Sequence, residues 1–116
     1  MTAPVFIFST PYPSVISRLS EEPVTVPVNA MLNGTIYNPT GDTIQFAFTT
    51  GYGSTPSSWA AAVWDSSLVQ GIWYNAQCLV GGTAGTALTA ATYTVWVRVT
   101  DAAEVPVRQA GTITIQ

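Results

Sequence analysis

The sequence predicts an all-β fold, a single sandwich of short strands, and three observations carry that reading. Tyr93, Val95, Val97 and Val99 alternate with Thr92, Thr94, Trp96, Arg98 and Thr100, which is the period of two of a half-buried strand. The same alternation returns in residues 24–32, 43–49 and 72–80, at the spacing of roughly 10–15 residues expected of a sandwich. Turn-forming clusters separate these runs, and no convincing helical pattern interrupts them. At 116 residues the chain makes one domain with one ordinary core.

Residues 1–22 differ from the rest and read as an extended N-terminal arm, leaving 23–116 for the sandwich. Val5-Phe-Ile-Phe8 is apolar on both parities, so it must be covered. Pro11 and Pro13 force extended backbone on the residues before them. Such a segment suits pairing in its own sheet or strand addition to a neighbour, and the proline spacer favours the neighbour. Val24, Val26, Val28, Ala30 and Leu32 then share one parity. Pro27, on the other, cannot donate to a ladder and predicts an edge strand. Asn33-Gly34 is either a tight hairpin turn or a kink, and Pro39-Thr-Gly-Asp42 is a turn.

In 43–49, Ile44, Phe46 and Phe48 face inward. Residues 50–58 form a Gly/Ser/Pro loop. Residues 59–65 read as one strand, because a seven-residue run between loop signals is short for a helix. Ile72, Tyr74, Ala76, Cys78 and Val80 share the inward parity of the next strand, and Gly111-Thr-Ile-Thr-Ile115 is a short closing strand.

Charge is sparse. Only 8% of residues are charged, with no Lys and no His, while Thr contributes seventeen residues and Ser nine. Three Arg and a net charge of −3 offer little to a nucleic-acid backbone or an anionic membrane. A weakly charged exterior resists association less than a charged one, which fits a subunit of an assembly or a homo-oligomer. Without His or Lys, Ser-His and Cys-His pairings and Schiff-base chemistry are excluded. Cys78 with carboxylates is poor zinc ligation, and it reads as a buried free thiol in a chain with no disulfide. The acids Glu21, Glu22, Asp42, Asp65, Asp101 and Glu104 stand at turns and strand ends, and no loop carries a calcium-like cluster. The expectation is a non-enzyme with no cofactor, no metal and no catalytic residue. The short apolar run at 5–8 is neither a signal peptide nor a membrane span, so folding in a reducing cytoplasm is expected.

Trp73 and Trp96 oppose the inward parity of their strands. They form a solvent-facing patch that marks an interaction surface, or else one of them covers a loop or the end of the core. With Phe6, Phe8 and Tyr12 of the arm, they are the candidate interface residues.

Leu88, five residues before the Tyr93 that opens a strand, looks like the corner of an immunoglobulin-like sandwich, where the tyrosine hydroxyl bonds backbone just upstream. Ala91 stands where such corners usually carry Gly. Together with Pro39-Thr-Gly-Asp-Thr-Ile-Gln-Phe-Ala-Phe48, Leu79-Val-Gly81, Thr92-Tyr-Thr-Val-Trp-Val-Arg-Val-Thr-Asp101, Glu104-Val-Pro-Val107 and Gly111-Thr-Ile-Thr-Ile115, the chain resembles the small immunoglobulin-like structural proteins of tailed bacteriophages and prophages. The resemblance covers most of residues 39–115. It implies a capsid decoration or accessory head protein that binds the assembled major capsid protein and is located in the virion after folding in the host bacterial cytoplasm. A tail-tube, head–tail or baseplate component is the alternative within the class, and a carbohydrate- or peptide-binding module the alternative outside it.

Overall fold

A computed structural model describes residues 4–51, 54–69, 72–101 and 104–116, and no α-helix occurs among them. Residues 1–3 of the expected arm and 52–53 of the expected loop lie outside the described residues. Two sheets face each other. In the first, β3 (Glu22–Leu32) lies between β1 (Val5–Phe8) and β8 (Trp73–Val80), with β7 (Val63–Val69) beyond β8 and β4 (Thr35–Ile36) folded back onto the end of β3. The second runs β2 (Val15–Ile16), β10 (Val107–Ile115), β9 (Ala91–Thr100), β5 (Thr43–Thr49), β6 (Ala60–Ala61). Among the described residues, every pairing between named strands is antiparallel except β2 with β10.

The alternation does what a period of two must do. Val24, Val26, Val28 and Ala30 of β3 meet Phe46 of β5 and Val95, Val97 and Val99 of β9, all fully buried. Each buried valine contributes about 1.5–3 kcal/mol over an exposed one, so the two inner faces hold the sheets together without staples. Cys78 is buried among them as a small hydrophobe.

Tyr93 is 7% exposed, and its hydroxyl donates to the Thr89 carbonyl at 2.9 Å, as the sequence led us to expect. Ala91 already belongs to β9 and has no left-handed backbone, so Gly is not required there. Asn33 (φ 53°) and Gly34 (φ 78°) resolve the hairpin-or-kink alternative in favour of a tight turn between β3 and β4.

Four expectations are corrected. The first concerns the N-terminal segment, which pairs within its own chain. Phe6 opposes Ala30, and Tyr12 and Thr25 exchange backbone bonds of 2.9 and 2.8 Å. The segment then crosses to the second sheet, where Ile16 opposes Ile115. Phe6 and Ile16 fill the core and Pro11 is fully buried, so residues 4–22 are part of the sandwich and not an arm. Gly111 (φ 151°) leaves room for this crossing: a Cβ there would stand 2.8 Å from the Pro11 ring.

The second correction follows from the first. β3 is an interior strand, not an edge. Pro27 is tolerated because it falls where the neighbouring segment bulges, between the Phe8–Val28 and Tyr12–Thr25 pairs. Its carbonyl accepts from Ser9 at 2.9 Å, and the missing N–H lies at the interruption.

The third is that residues 59–65 are not one strand. Ala60–Ala61 pairs with β5, the chain switches sheets at Ala62, and Val63 begins β7. Asp65 therefore lies inside a strand and does not end one. The fourth is that Ile72 precedes β8 in a turn and is 42% exposed. The closing strand is also longer than expected, beginning at Val107 and carrying a bulge between Gln109 and Gly111.

Candidate functional site

The inner faces are consumed by the core, so any partner must meet an outer face, an edge or an end. On the first sheet, cross-strand register places Val5, Ile7, Met31, Ile36, Gln77, Leu79 and Val63 on the outside. Tyr12, paired with Thr25, joins them. Val5 is 64%, Ile7 54%, Tyr12 47% and Val63 64% exposed, so large apolar side chains remain in water across this face. No charged residue occurs in β1, in β8 or on the outward parity of β3.

Polar groups on this face are buried between the apolar ones. Thr25 accepts from the Gln77 side chain at 3.4 Å, and Asn29 donates to the Ile72 carbonyl at 3.2 Å. Asn75 is 6% exposed, and its side-chain oxygen receives no hydrogen bond among the described residues. A buried acceptor in that state costs about 1–3 kcal/mol.

On the outer face of the second sheet several side chains engage one another, while Val15 and Val107 stay 50% and 36% exposed. The Arg98 guanidinium lies 4.3 Å above the Trp59 ring and donates through Nε and Nη2 to Gln45 Oε1 at 2.9 and 2.6 Å. Trp96 donates its indole N–H to Thr49 at 2.9 Å, and Ala47, its cross-strand neighbour, is only 3% exposed. The Thr92 and Thr114 hydroxyls meet at 3.2 Å.

At one end, Tyr37 Oη lies 3.3 and 3.4 Å from the two carboxylate oxygens of Asp42 and 3.2 Å from Asp101 Oδ2. Burial, then the charge of Asp42, pushes the Tyr37 phenol up to about 12. Burial, followed by the charge of Asp101, raises the Asp42 carboxyl above its usual range. Burial also raises the Cys78 thiol, which keeps it protonated and unreactive. A groove of about 220 Å³ between β5, β6 and residues 86–88 is lined by Phe46, Phe48, Ser58 and Leu88 among others, and none of its lining residues is acidic or basic.

The expected interface residues scatter. Phe6 enters the core, and Phe8 packs half-buried against it with ring centroids 6.3 Å apart; the exposed members of β1 are instead Val5 and Ile7. Tyr12 is on the first sheet's outer face. Trp73 and Trp96 do point away from the core, but from opposite sheets, and both are half-buried, so they form no single patch. Leu88 packs beside the core, and the Tyr93 hydroxyl donates to the Thr89 carbonyl. Sequence reasoning missed two groupings: Arg98 with Trp59, and Asp42 with Asp101. The second could have been found from strand pairing. Thr43 opposes Thr100, so the residue before β5 and the residue after β9 must meet.

Comparison with known proteins adds no relative: no family model, curated protein or solved structure matches the chain.

Proposed function

We propose that the chain is a non-enzymatic, immunoglobulin-like structural protein of a tailed-phage particle, a decoration or accessory protein that binds the assembled head. The observation that carries this reading is the outer face of the β1–β3–β8–β7 sheet. Large exposed apolar residues on a face with no charge in β1, in β8 or on the outward parity of β3 favour a protein-interaction surface. The resemblance of residues 39–115 to phage immunoglobulin-like proteins supplies the class of partner, the major capsid protein. Binding by buried area and shape needs no catalytic group.

A carbohydrate-binding reading has weaker support. One face of the Trp59 ring already carries Arg98, and Trp73 and Trp96 cannot form one stacking platform from opposite sheets.

The test is co-sedimentation with expanded phage heads, using the wild-type chain and Ile7→Lys/Leu79→Lys. The wild type is expected in the head pellet. The variant should lose at least about tenfold in affinity, roughly 1.4 kcal/mol, with its melting temperature nearly unchanged because both side chains are exposed. Undiminished binding by the variant would remove this face from the interface. A wild-type chain that pellets with tail tubes and not with heads would move the protein to the tail.

A further inference from the structure

We infer that the outer edge of β1 pairs antiparallel with β1 of a second copy, closing two chains into a twofold dimer with one continuous sheet across it. β1 ends the first sheet, with β3 on one side and, among the described residues, no strand on the other. The three other ends of the two sheets are guarded in the ways edges usually are. β2 and β6 are two residues long, and β7 bulges between Trp64 and Leu68 and carries Asp65. β1 has neither bulge nor proline within it, and no residue from 4 through 17 is charged. An uncharged apolar edge of this kind is a template for another strand.

The direction of the peptide groups shows what that edge offers. Ser9 donates to the Pro27 carbonyl at 2.9 Å, and alternate residues of an antiparallel strand bond toward the same neighbour. Ile7 and Val5 therefore bond toward Asn29 and Met31 of β3. The backbone N–H and C=O of Phe6 and of Phe8 point the other way, and among the described residues nothing bonds them.

Self-pairing has one register that satisfies these groups. Residues directly opposite each other must face the same side of the sheet, so Phe6 and Phe8 can oppose only even-numbered residues. With Phe6 of each chain opposite Phe8 of the other, every outward N–H meets an outward C=O. Phe6 opposite Phe6 would instead set the Phe8 carbonyl against Pro4, which has no N–H. Phe8 opposite Phe8 would set Phe6 against Thr10, beyond the end of β1. The twofold axis therefore passes through Ile7, which meets its own copy on the outer face and is 54% exposed in the single chain. On the inner side, the stacked pair of Phe6 and half-buried Phe8, 6.3 Å apart, is continued by the rings of the second copy. Both copies spend the same edge, so the assembly stops at two. The pairing does not depend on which partner the outer face of the sheet binds.

Sedimentation equilibrium of the isolated full chain tests this, from about 10 µM to about 1 mM, the range suited to a small interface. The wild type should pass from monomer to dimer and go no further. Hydrogen exchange gives a reading that needs no variant: the Phe6 and Phe8 amides should become protected as concentration rises. The axis residue gives a sharper one. Ile7→Lys and Ile7→Glu each set like charges directly opposite across the axis, so each alone should be monomeric with a melt close to that of wild type. Mixed in equal amounts they should form a heterodimer, because unlike charges then face each other. Leu79→Lys, on β8 and away from the axis, should dimerise as the wild type does. A wild type still monomeric at the top of the range, charged Ile7 variants that self-associate, or a mixture no more associated than its components overturns the pairing. Loss of the dimer in Leu79→Lys overturns it as well, since the contact would then lie on the broad face and not the edge.

Discussion

The outer faces of the two sheets grow from the same alternating strands and differ in how far their side chains engage one another. On the second sheet several outward residues engage one another, beside the exposed Val15 and Val107: Arg98 lies on Trp59 and binds Gln45, Trp96 binds Thr49, and threonine hydroxyls pair. On the first, Val5, Ile7 and Val63 stand more than half exposed and a buried Asn75 oxygen has no donor among the described residues. Exposed apolar residues are ordinary when scattered and informative when contiguous. A face that leaves more apolar area in water gains more free energy from a partner. Under the proposed function, the first sheet is the docking side and the second contributes to the stability of the domain alone.

Removing the strand that supplies Val5 and Ile7 is the most severe way to break this comparison. Deletion of residues 1–13 takes away β1, the buried Phe6 and Pro11, and the reciprocal Tyr12–Thr25 bonds. Loss of a core phenylalanine alone costs about 3–5 kcal/mol, a large part of the roughly 5–15 kcal/mol that holds a small domain together. The truncated chain should show no cooperative melt by circular dichroism. A cooperative melt near the wild-type temperature would return the segment to the role of an independent arm.

Much of this architecture was legible because inner-face periodicity is dictated by burial. Strands β3, β5, β8 and β9 and the buried Tyr93 with its bond to the Thr89 carbonyl follow from alternation and one spacing. What failed depended on strand order, which alternation does not encode. Pro27 suggested an edge because a missing N–H is costly in a continuous ladder, yet here the neighbouring segment bulges at that point. The run at 59–65 hid a switch of sheets, since small alanines suit either side of a crossing. The two tryptophans were grouped by parity alone, and parity names a face without naming the sheet. The Asp42–Asp101 contact needed the pairing of β5 with β9, which joins residues 59 positions apart.

A single-residue contrast sharpens the comparison at intermediate size. Trp96→Ala removes the indole bond to Thr49 and uncovers Ala47. For a half-buried tryptophan this should cost about 1–3 kcal/mol, short of a full core truncation. Ile7→Ala, on a side chain 54% exposed, should cost less than about 1 kcal/mol. Urea unfolding of both variants checks the order, and head co-sedimentation should show the reverse ranking. If Trp96→Ala instead left stability intact and abolished binding, the second sheet would be the docking side.

The smallest expected effect falls on Arg98. Arg98→Lys keeps the positive charge but loses the planar fork that directs Nε and Nη2 together at Gln45, and a lysine ammonium does not lie flat on the Trp59 ring. A cation–π contact at a partly exposed site is worth about 0.5–1 kcal/mol, and the hydrogen bonds to a neutral amide add little beyond it in water. The variant should therefore lose about 0.5–1.5 kcal/mol in urea unfolding. Gln45 carries no charge and the Trp59 contact is short, so the loss should be nearly the same at low and high salt, unlike that of a surface ion pair. Head binding should remain at the wild-type level. A stability loss that vanished in salt would mean that Arg98 acts through a carboxylate. A binding loss without a stability loss would mean that a partner reads the second sheet's outer face, and the division between the two sheets would have to be redrawn.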